Sequence, residues 1–390
     1  MDFHIYQDTD QKSVFDLIRR SDNTSRRDDT WADNDMTASL AYDGTKLIGA
    51  IPFEPRNFSL GNADSINVLW VSGAHVEAEY RNKGIGRKLD EITRREFSEK
   101  YQAIFVYRQD ENSRAYKWYE SLGYYPLLSI LALKKNTNSD FYPFYDFQCQ
   151  EIEGGLDIPE SDMFECFLRN GGNESGGSPN RYLGYWSKRL RAHYYKEHYK
   201  YFILMLTKND QIISFAILGE TNFKDNIERL EILEYCVKSD NQAQKELLSS
   251  VQQFAVERKV AEIRLQLSQQ DSLLPWAREF GFEIRWRSNI MGVIINLPAL
   301  FDRLMNEYPY SISIETPGFG IWENSKGKKD LELFMSDNEL TRMLFNRSDI
   351  SCAVKEGRVL ILSEACHDAF LQLNLLFPLN KWKYFQVDYI

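Results

Sequence analysis

Arg81-Asn82-Lys83-Gly84-Ile85-Gly86-Arg87 puts two glycines and three cationic side chains at the start of a helical pattern formed by Ile85, Leu89, Ile92 and Phe97. Glycines at a helix start leave backbone N–H groups unpaired at its positive end and open to close approach, so the stretch reads as an anion cradle. A dinucleotide fingerprint would place a third glycine where Leu89 stands, and a P-loop would require Gly-Lys-Ser/Thr, which the stretch lacks. What remains is Arg-x-x-Gly-x-Gly. Downstream, Asn112-Ser113-Arg114-Ala115-Tyr116-Lys117-Trp118-Tyr119-Glu120-Ser121-Leu122-Gly123-Tyr124 reads as an aromatic-rich helix that stops at a glycine.

Strands must hold these two stretches. Val68, Trp70 and Ser72, then Ala74 and Val76 beyond Gly73, predict a strand entering the cradle, and Ala103 to Tyr107 predicts one leaving its helix. Asp43-Gly44 and Gly61-Asn62 are turn signals between alternating runs, so three strands feed the cradle. His75 lies beside the resulting groove, where a ligand or base role and a merely packed side chain are both open.

The two motifs, in this order, resemble the signatures of the GNAT acetyltransferase superfamily. Arg81, Gly84 and Gly86 stand at the pyrophosphate-binding positions, and Val76-Glu77-Ala78-Glu79-Tyr80 is similar to the family's approach to them, with Ala78 where proline is common. The resemblance implies acetyl-CoA as co-substrate, held by His75, Val76, Arg81, Asn82, Lys83, Gly84, Ile85, Gly86, Arg87, Asn112 and Ala115. It also places the general acid at Tyr119. A phenol of pKa about 10 is protonated at neutral pH while a free thiol lies near about 8.5, so proton donation to a departing thiolate needs no perturbed acid. In such proteins the loop after the first strand lines the acceptor site. Here that loop carries Asp28, Asp29 and Trp31, followed by Asp33 and Asp35, which suit a cation; a solvated loop with one anchoring tryptophan is the plainer alternative.

After LLSILALKK, read as closing the first unit, come a mixed linker, a helix, a glycine-rich loop at 170–180 expected to be mobile, and a helix from near Pro179. From Tyr201 the strand and helix pattern repeats, with Lys208-Asn209-Asp210 as a turn, and Trp276-Ala277-Arg278-Glu279-Phe280-Gly281-Phe282 echoes Trp118 to Tyr124. The second copy has Lys238-Ser239-Asp240-Asn241-Gln242 where the first has its cradle, and Trp276 stands for Tyr119, so it reads as a structural duplicate. The last segment is mixed, with Ser336 and Glu339 spaced as a capping box. The fold class is thus α+β, with units at 1–145, 146–287 and 288–390.

A competent GNAT unit, a degenerate one and a C-terminal α+β unit together resemble the Eis (enhanced intracellular survival) acetyltransferases. That resemblance implies a sterol-carrier-like third unit, hexameric assembly, and an aminoglycoside, polyamine or lysine amine as acceptor. It makes the terminal carboxylate of Ile390 the base, although the family usually ends in phenylalanine; Glu77 or Asp29 acting through water is the fallback.

Composition narrows the classes. The 390 residues are 43% hydrophobic and 27% charged, as in globular chains, and the net charge of −10 argues against nucleic acid and suits a cationic small-molecule or peptide acceptor. No apolar run would span a bilayer and no signal-peptide layout opens the chain, so a cytoplasmic enzyme is expected. Five dispersed cysteines support neither a disulfide framework nor a metal site. The alternative function is a ligand-binding or scaffold protein that keeps CoA binding but turns over weakly.

Overall fold

The computed structural model describes residues 1–22, 36–61, 64–109, 111–137, 147–152, 158–172, 176–191, 200–222, 228–306, 308–325, 327–345, 347–377, 382–383 and 385. Strand β1 (Asp2–Ile5) and helix α1 (Gln11–Asp22) precede β2 (Thr37–Asp43), β3 (Lys46–Gly61) and β4 (Asp64–Val71). Gly44 at φ +61° and Gly61 at φ +92° supply the left-handed turns between these three antiparallel strands. Gly73, at φ +128°, then swings the chain so that β5 (His75–Val76) pairs with β3 at Ala50 and Gly49. Next come α2 (Ile85–Phe97), β6 (Ala103–Gln109), α3 (Arg114–Ser121) and β7 (Tyr125–Asn136).

The second copy comprises β8 (Gln148–Ile152), α4 (Glu160–Arg169), α5 (Tyr185–Arg191), β9 (Lys200–Lys208), β10 (Gln211–Asn222), β11 (Glu228–Cys236), α6 (Asn241–Glu257), β12 (Glu262–Ser268), α7 (Leu274–Glu279) and β13 (Glu283–Ile294). Asn209 and Asp210 both take positive φ in the β9–β10 turn. The echoed motifs stop their helices identically. Gly123 and Gly281 both sit at φ +81°, and the next aromatic N–H returns five residues, Tyr124 to Tyr119 at 3.1 Å and Phe282 to Ala277 at 2.9 Å.

The strands of the two copies share one sheet in the order β1-β2-β3-β4-β6-β13-β7-β12-β11-β10-β9-β8. β13 lies between β6 and β7, pairing Ile290 with Tyr107 on one side and with Leu128 on the other. β7 in turn pairs with β12, Leu133 opposite Leu265. Each copy therefore gives its last strand to the other. β7 does not close the first copy, and the position 287/288 falls inside β13.

Alternation along the strands gives the first copy's part of the sheet two apolar faces. Val71, Ile104, Val106, Met291 and Val293 lie in the core under α2 and α3. Phe58, Val68, Trp70, Phe105 and Ile290 face the last segment. That segment contains α8 (Leu297–Leu304), β14 (Ile312–Thr316), β15 (Gly320–Glu323), β16 (Leu331–Met335), α9 (Asp337–Leu344), α10 (Ile350–Lys355), β17 (Val359–Glu364) and α11 (His367–Leu376), with its own sheet β15-β14-β16-β17.

Three local expectations change. The helix expected from Pro179 starts at Tyr185, because residues 177–180 run along β3 instead: Gly177 N–H to Ser59 O (3.0 Å), Ser59 N–H to Ser178 O (2.9 Å) and Asn180 N–H to Asn57 O (2.9 Å). This half of the glycine-rich loop is thereby pinned to the first copy, and 173–175 lie outside the described residues. Ser336 accepts the Glu339 N–H at 3.1 Å, but the buried Glu339 carboxylate goes to Ser348 and Arg358, so only half of the capping box forms. The tail packs against both copies. Fully buried Trp382 packs on Phe58 (5.5 Å between centroids), and Phe385 packs on Tyr235 of the second copy (5.4 Å).

Candidate active site

The parallel pairing of β4 with β6 runs from Val68–Ala103 to Val71–Val106 and ends there. Beyond it β5 turns to β3, whereas β6 continues along β13 as far as Gln109. A wedge opens between the two strands. Glu77 N–H bonds back to Ile48 O (2.9 Å), so strand alternation turns the polar groups of Val76, rather than those of His75, toward the wedge. The Val76 carbonyl accepts from Arg81 Nε at 2.8 Å, which fixes this guanidinium at the mouth of the cradle.

Gly84 caps α2 at φ +78° with no side-chain cap, and the first helical bond is Lys88 N–H to Gly84 O at 3.0 Å. The N–H groups of Ile85, Gly86 and Arg87 thus precede the helical ladder, at the positive end of a helix with no acidic residue in its first turn. A Cβ built on Gly84 would meet nothing within 4 Å, so the space in front of the helix is open. Gly86 has a second reason to be glycine: its Cβ would lie 2.8 Å from Trp118 Cζ2, so the bare backbone lets α3 lie across the start of α2.

A cleft of about 500 Å³ follows these groups. His75, Val76, Arg81, Asn82, Gly84, Ile85, Gly86, Arg87, Ala115 and Tyr119 line it, so the two motifs meet across one space. Lys83 and Asn112 are not among its lining; Lys83 Nζ instead sits 5.1 Å over the Tyr80 ring. The cleft adds Arg108 and Arg114, which sequence reasoning passed over. Arg114 sits inside the second motif and donates to Asn82 Oδ1 at 2.6 Å; Arg108 continues the alternation of Ile104 and Val106 on β6. Four guanidiniums and no carboxylate line the cleft, in a chain of net charge −10.

Tyr119 is 1% exposed at the inner end of this cleft. Its ring is held by Trp118 and Tyr124, with centroids 4.6 and 5.0 Å away, and its hydroxyl accepts from Arg108 Nη2 at 3.0 Å. Because that bond fills an acceptor position, the phenol's own proton is left to donate. Burial raises the Tyr119 pKa above its ordinary 10, with Arg108 pulling partly the other way. Behind the ring, Asp90 accepts from Tyr124 Oη (2.8 Å) and Arg94 Nε (2.7 Å), which locks the supporting aromatic in place. Burial raises the Asp90 pKa in spite of Arg94 and Tyr124.

Asp28, Asp29, Trp31 and Ile390 lie outside the described residues. Among the described residues no group of three His, Cys, Asp or Glu side chains could hold a metal ion, and no helix is long and apolar enough to cross a membrane.

In the second copy the corresponding helix start is filled. Asp240 caps α6, its carboxylate accepting from Ala243 N–H at 2.8 Å, so an N–H and the positive helix end are already answered by a negative charge. Lys245 lies 4.1 Å over the Trp276 ring, on the side where the first copy has its cleft-lining α3.

Residues 4–124 match the acetyltransferase (GNAT) family. Among solved structures, the fold is shared with a GCN5-related N-acetyltransferase from Anabaena variabilis, at a TM-score of 0.72 and 14% identity over 98% of this chain and 100% of that one. Eis1 from Mycobacterium abscessus aligns at a TM-score of 0.64 and 12% identity, covering 99% of each chain. A tandem GNAT protein from the clavulanic acid biosynthesis pathway aligns at a TM-score of 0.51 and 10% identity, over 76% of this chain and 99% of that one. No curated protein matches the chain by sequence.

Proposed function

We propose that this chain, which carries a GNAT acetyltransferase domain in residues 4–124, transfers the acetyl group of acetyl-CoA to a primary amine, either of a small polycationic acceptor of the aminoglycoside or polyamine kind or of a lysine. The observation that carries this reading is the convergence of an uncapped, glycine-opened helix start and a buried tyrosine hydroxyl on one cleft.

The pyrophosphate belongs against the N–H groups of Ile85, Gly86 and Arg87, with Arg81, Arg87 and Arg114 supplying charge. The Val76 N–H, turned into the wedge, suits an amide of the pantetheine arm. Acetyl-CoA brings the acyl group as a thioester. As the amine attacks and the carbon–sulfur bond breaks, Tyr119 donates its proton to the departing thiolate, and Arg108 keeps the hydroxyl oriented. Burial favours this role, because a phenol with a raised pKa is still protonated when the thiolate forms.

The attacking ammonium must first lose a proton, and we assign that step to the Ile390 carboxylate. Phe385, five residues before the terminal carboxylate, is anchored on Tyr235. Asp28, Asp29 and Trp31 are our choice for holding the cationic acceptor. The same reading takes 1–145, 146–287 and 288–390 as its units of sequence, treats the last as sterol-carrier-like, and describes a cytoplasmic oligomer, a hexamer by the Eis likeness.

The test is thiol release from acetyl-CoA over a panel of aminoglycosides, polyamines and lysine peptides. Amine-dependent release supports the proposal. Thermal stabilisation by acetyl-CoA with no release on any amine overturns it in favour of a CoA-binding scaffold. Deleting Ile390 alone should lower kcat, and unchanged activity removes the terminal carboxylate from the mechanism.

A further inference from the structure

A second cavity of about 510 Å³ opens where the three units meet, and none of its lining residues lines the Tyr119 cleft. Leu127 and Ser129 of β7 form one wall, Gln269 and Gln270 after β12 another, and Arg342, Arg347 and Asp349 around α9 and α10 a third. Arg347 is only 9% exposed, and two of its donors go to neutral acceptors: Nε to Leu127 O and Nη2 to Gln270 Oε1, both at 2.9 Å. Arg342 reaches Arg347 O with Nη2 at 3.4 Å, while its Nε is buried and has no hydrogen-bond partner among the described residues.

The carboxylates around the cavity have other duties. Asp349 caps α10 by accepting from Cys352 N–H (2.8 Å), and Glu111 accepts from Asn289 Nδ2 (3.0 Å). Glu339 and Glu356 pair with the third guanidinium of the lining, Arg358. Burial and the like charge of Arg342 both depress the Arg347 pKa, to about 10. Two neighbouring guanidiniums on one wall of a cavity, repelling each other, are relieved by an anion between them.

We propose that this cavity binds a compact oxyanion, a phosphate or carboxylate group on a small molecule, with Arg342 as its principal ligand and Arg347 as the buried positive charge behind it. Neutral amides at Gln269 and Gln270 then frame the rim.

The full-length protein is titrated with inorganic phosphate and, separately, with succinate, using calorimetry and thermal shift against sodium chloride at matched ionic strength. We expect saturable binding of at least one probe, and which one saturates identifies the group. Arg342→Gln should weaken it about 10- to 100-fold, the range for a hydrogen bond to a charged partner. Gln269→Glu, a change at an exposed position that tests the site without a buried substitution, should also weaken it, whereas Arg81→Gln should leave it unchanged. Failure of both probes to saturate, or binding lost in Arg81→Gln and kept in Arg342→Gln, overturns the proposal.

Discussion

Replacing Tyr119 with phenylalanine separates chemistry from packing, because the ring contacts at 4.6 and 5.0 Å survive and only the hydroxyl goes. Among the described residues the hydroxyl's one hydrogen bond is that from the Arg108 guanidinium, at 3.0 Å, and losing it should cost about 1.5–3 kcal/mol of stability. General acid catalysis is worth about 10²- to 10⁴-fold, or roughly 3–5 kcal/mol of barrier. Tyr119→Phe should therefore lower kcat by that factor while the melting temperature moves by only a few degrees and KM for acetyl-CoA by less than about threefold. The assay is initial-rate thiol release at saturating amine, with a melt on the same preparation. The wild-type pH profile is a second reading of the same group. A pKa raised above 10 keeps Tyr119 protonated through neutral and mildly alkaline pH, so no falling limb in kcat should come from it there. Retention of kcat within about threefold in Tyr119→Phe refutes the acid role. An unchanged kcat with a raised KM would make the phenol a binding group instead.

Further outcomes follow from the fold. Residues 1–145 expressed alone lack β13, which leaves β6 and β7 without the strand that joins them, so the fragment should show no cooperative melt; a sharp two-state melt would contradict the strand exchange. Calorimetry with CoA should give one site per chain, because Asp240 fills the second helix start, and a stoichiometry of two would overturn the assignment of the second copy as inert. Glu54 joins Arg56 and Arg189 (2.7 Å each) across the two copies: burial alone would raise its pKa, but the two arginines outweigh it and hold it at about 2, below the ordinary 4.5. Its stabilisation is complete above pH 4.5 and lost as pH falls through 2. Glu54→Gln should cost about 3–5 kcal/mol at neutral pH, with the gap to wild type in urea midpoint closing in acid; a gap independent of pH would refute the assignment.

The cradle and Tyr119 were legible in the chain because both are local. Positive φ at Gly84, an uncapped helix start and a glycine stop at Gly123 are set by a few adjacent residues, and such residues announce themselves. Arg108 was legible in principle, one alternation step beyond Val106, but nothing local distinguishes a cleft-lining arginine from a solvated one. Lys83 stands in the motif, and its side chain is drawn over Tyr80. Partners distant in sequence were beyond reach. Ile290 matches Tyr107 and Leu128 through apolar alternation that would fit many other strands equally well. Nothing near Trp382 in the chain marks it as buried; the bare backbone of Gly176 and Gly177, where a Cβ would come within 2.6 Å of its side chain, makes room for it.

Strand exchange accounts for a second copy that has lost its cradle but kept its fold. β13, made by the second copy, supplies Met291 and Val293 to the core beneath α2 and α3, and Asn289 to the end of β6. Its glycine at 292 lets Phe105 and Leu127 close over the backbone, where a Cβ would lie 2.7 and 2.6 Å from their side chains. The helix that presents Gly86 and the helix that presents Tyr119 thus rest on a strand encoded more than 160 residues later. None of residues 237–242, at the start of α6, belongs to the core beneath α2 and α3, so changes there leave that support in place. A substitution that unpaired β13 would instead loosen the floor of the first copy's cleft. Selection on acetyl transfer alone would then preserve the second copy's strands while leaving its helix start free to acquire Asp240.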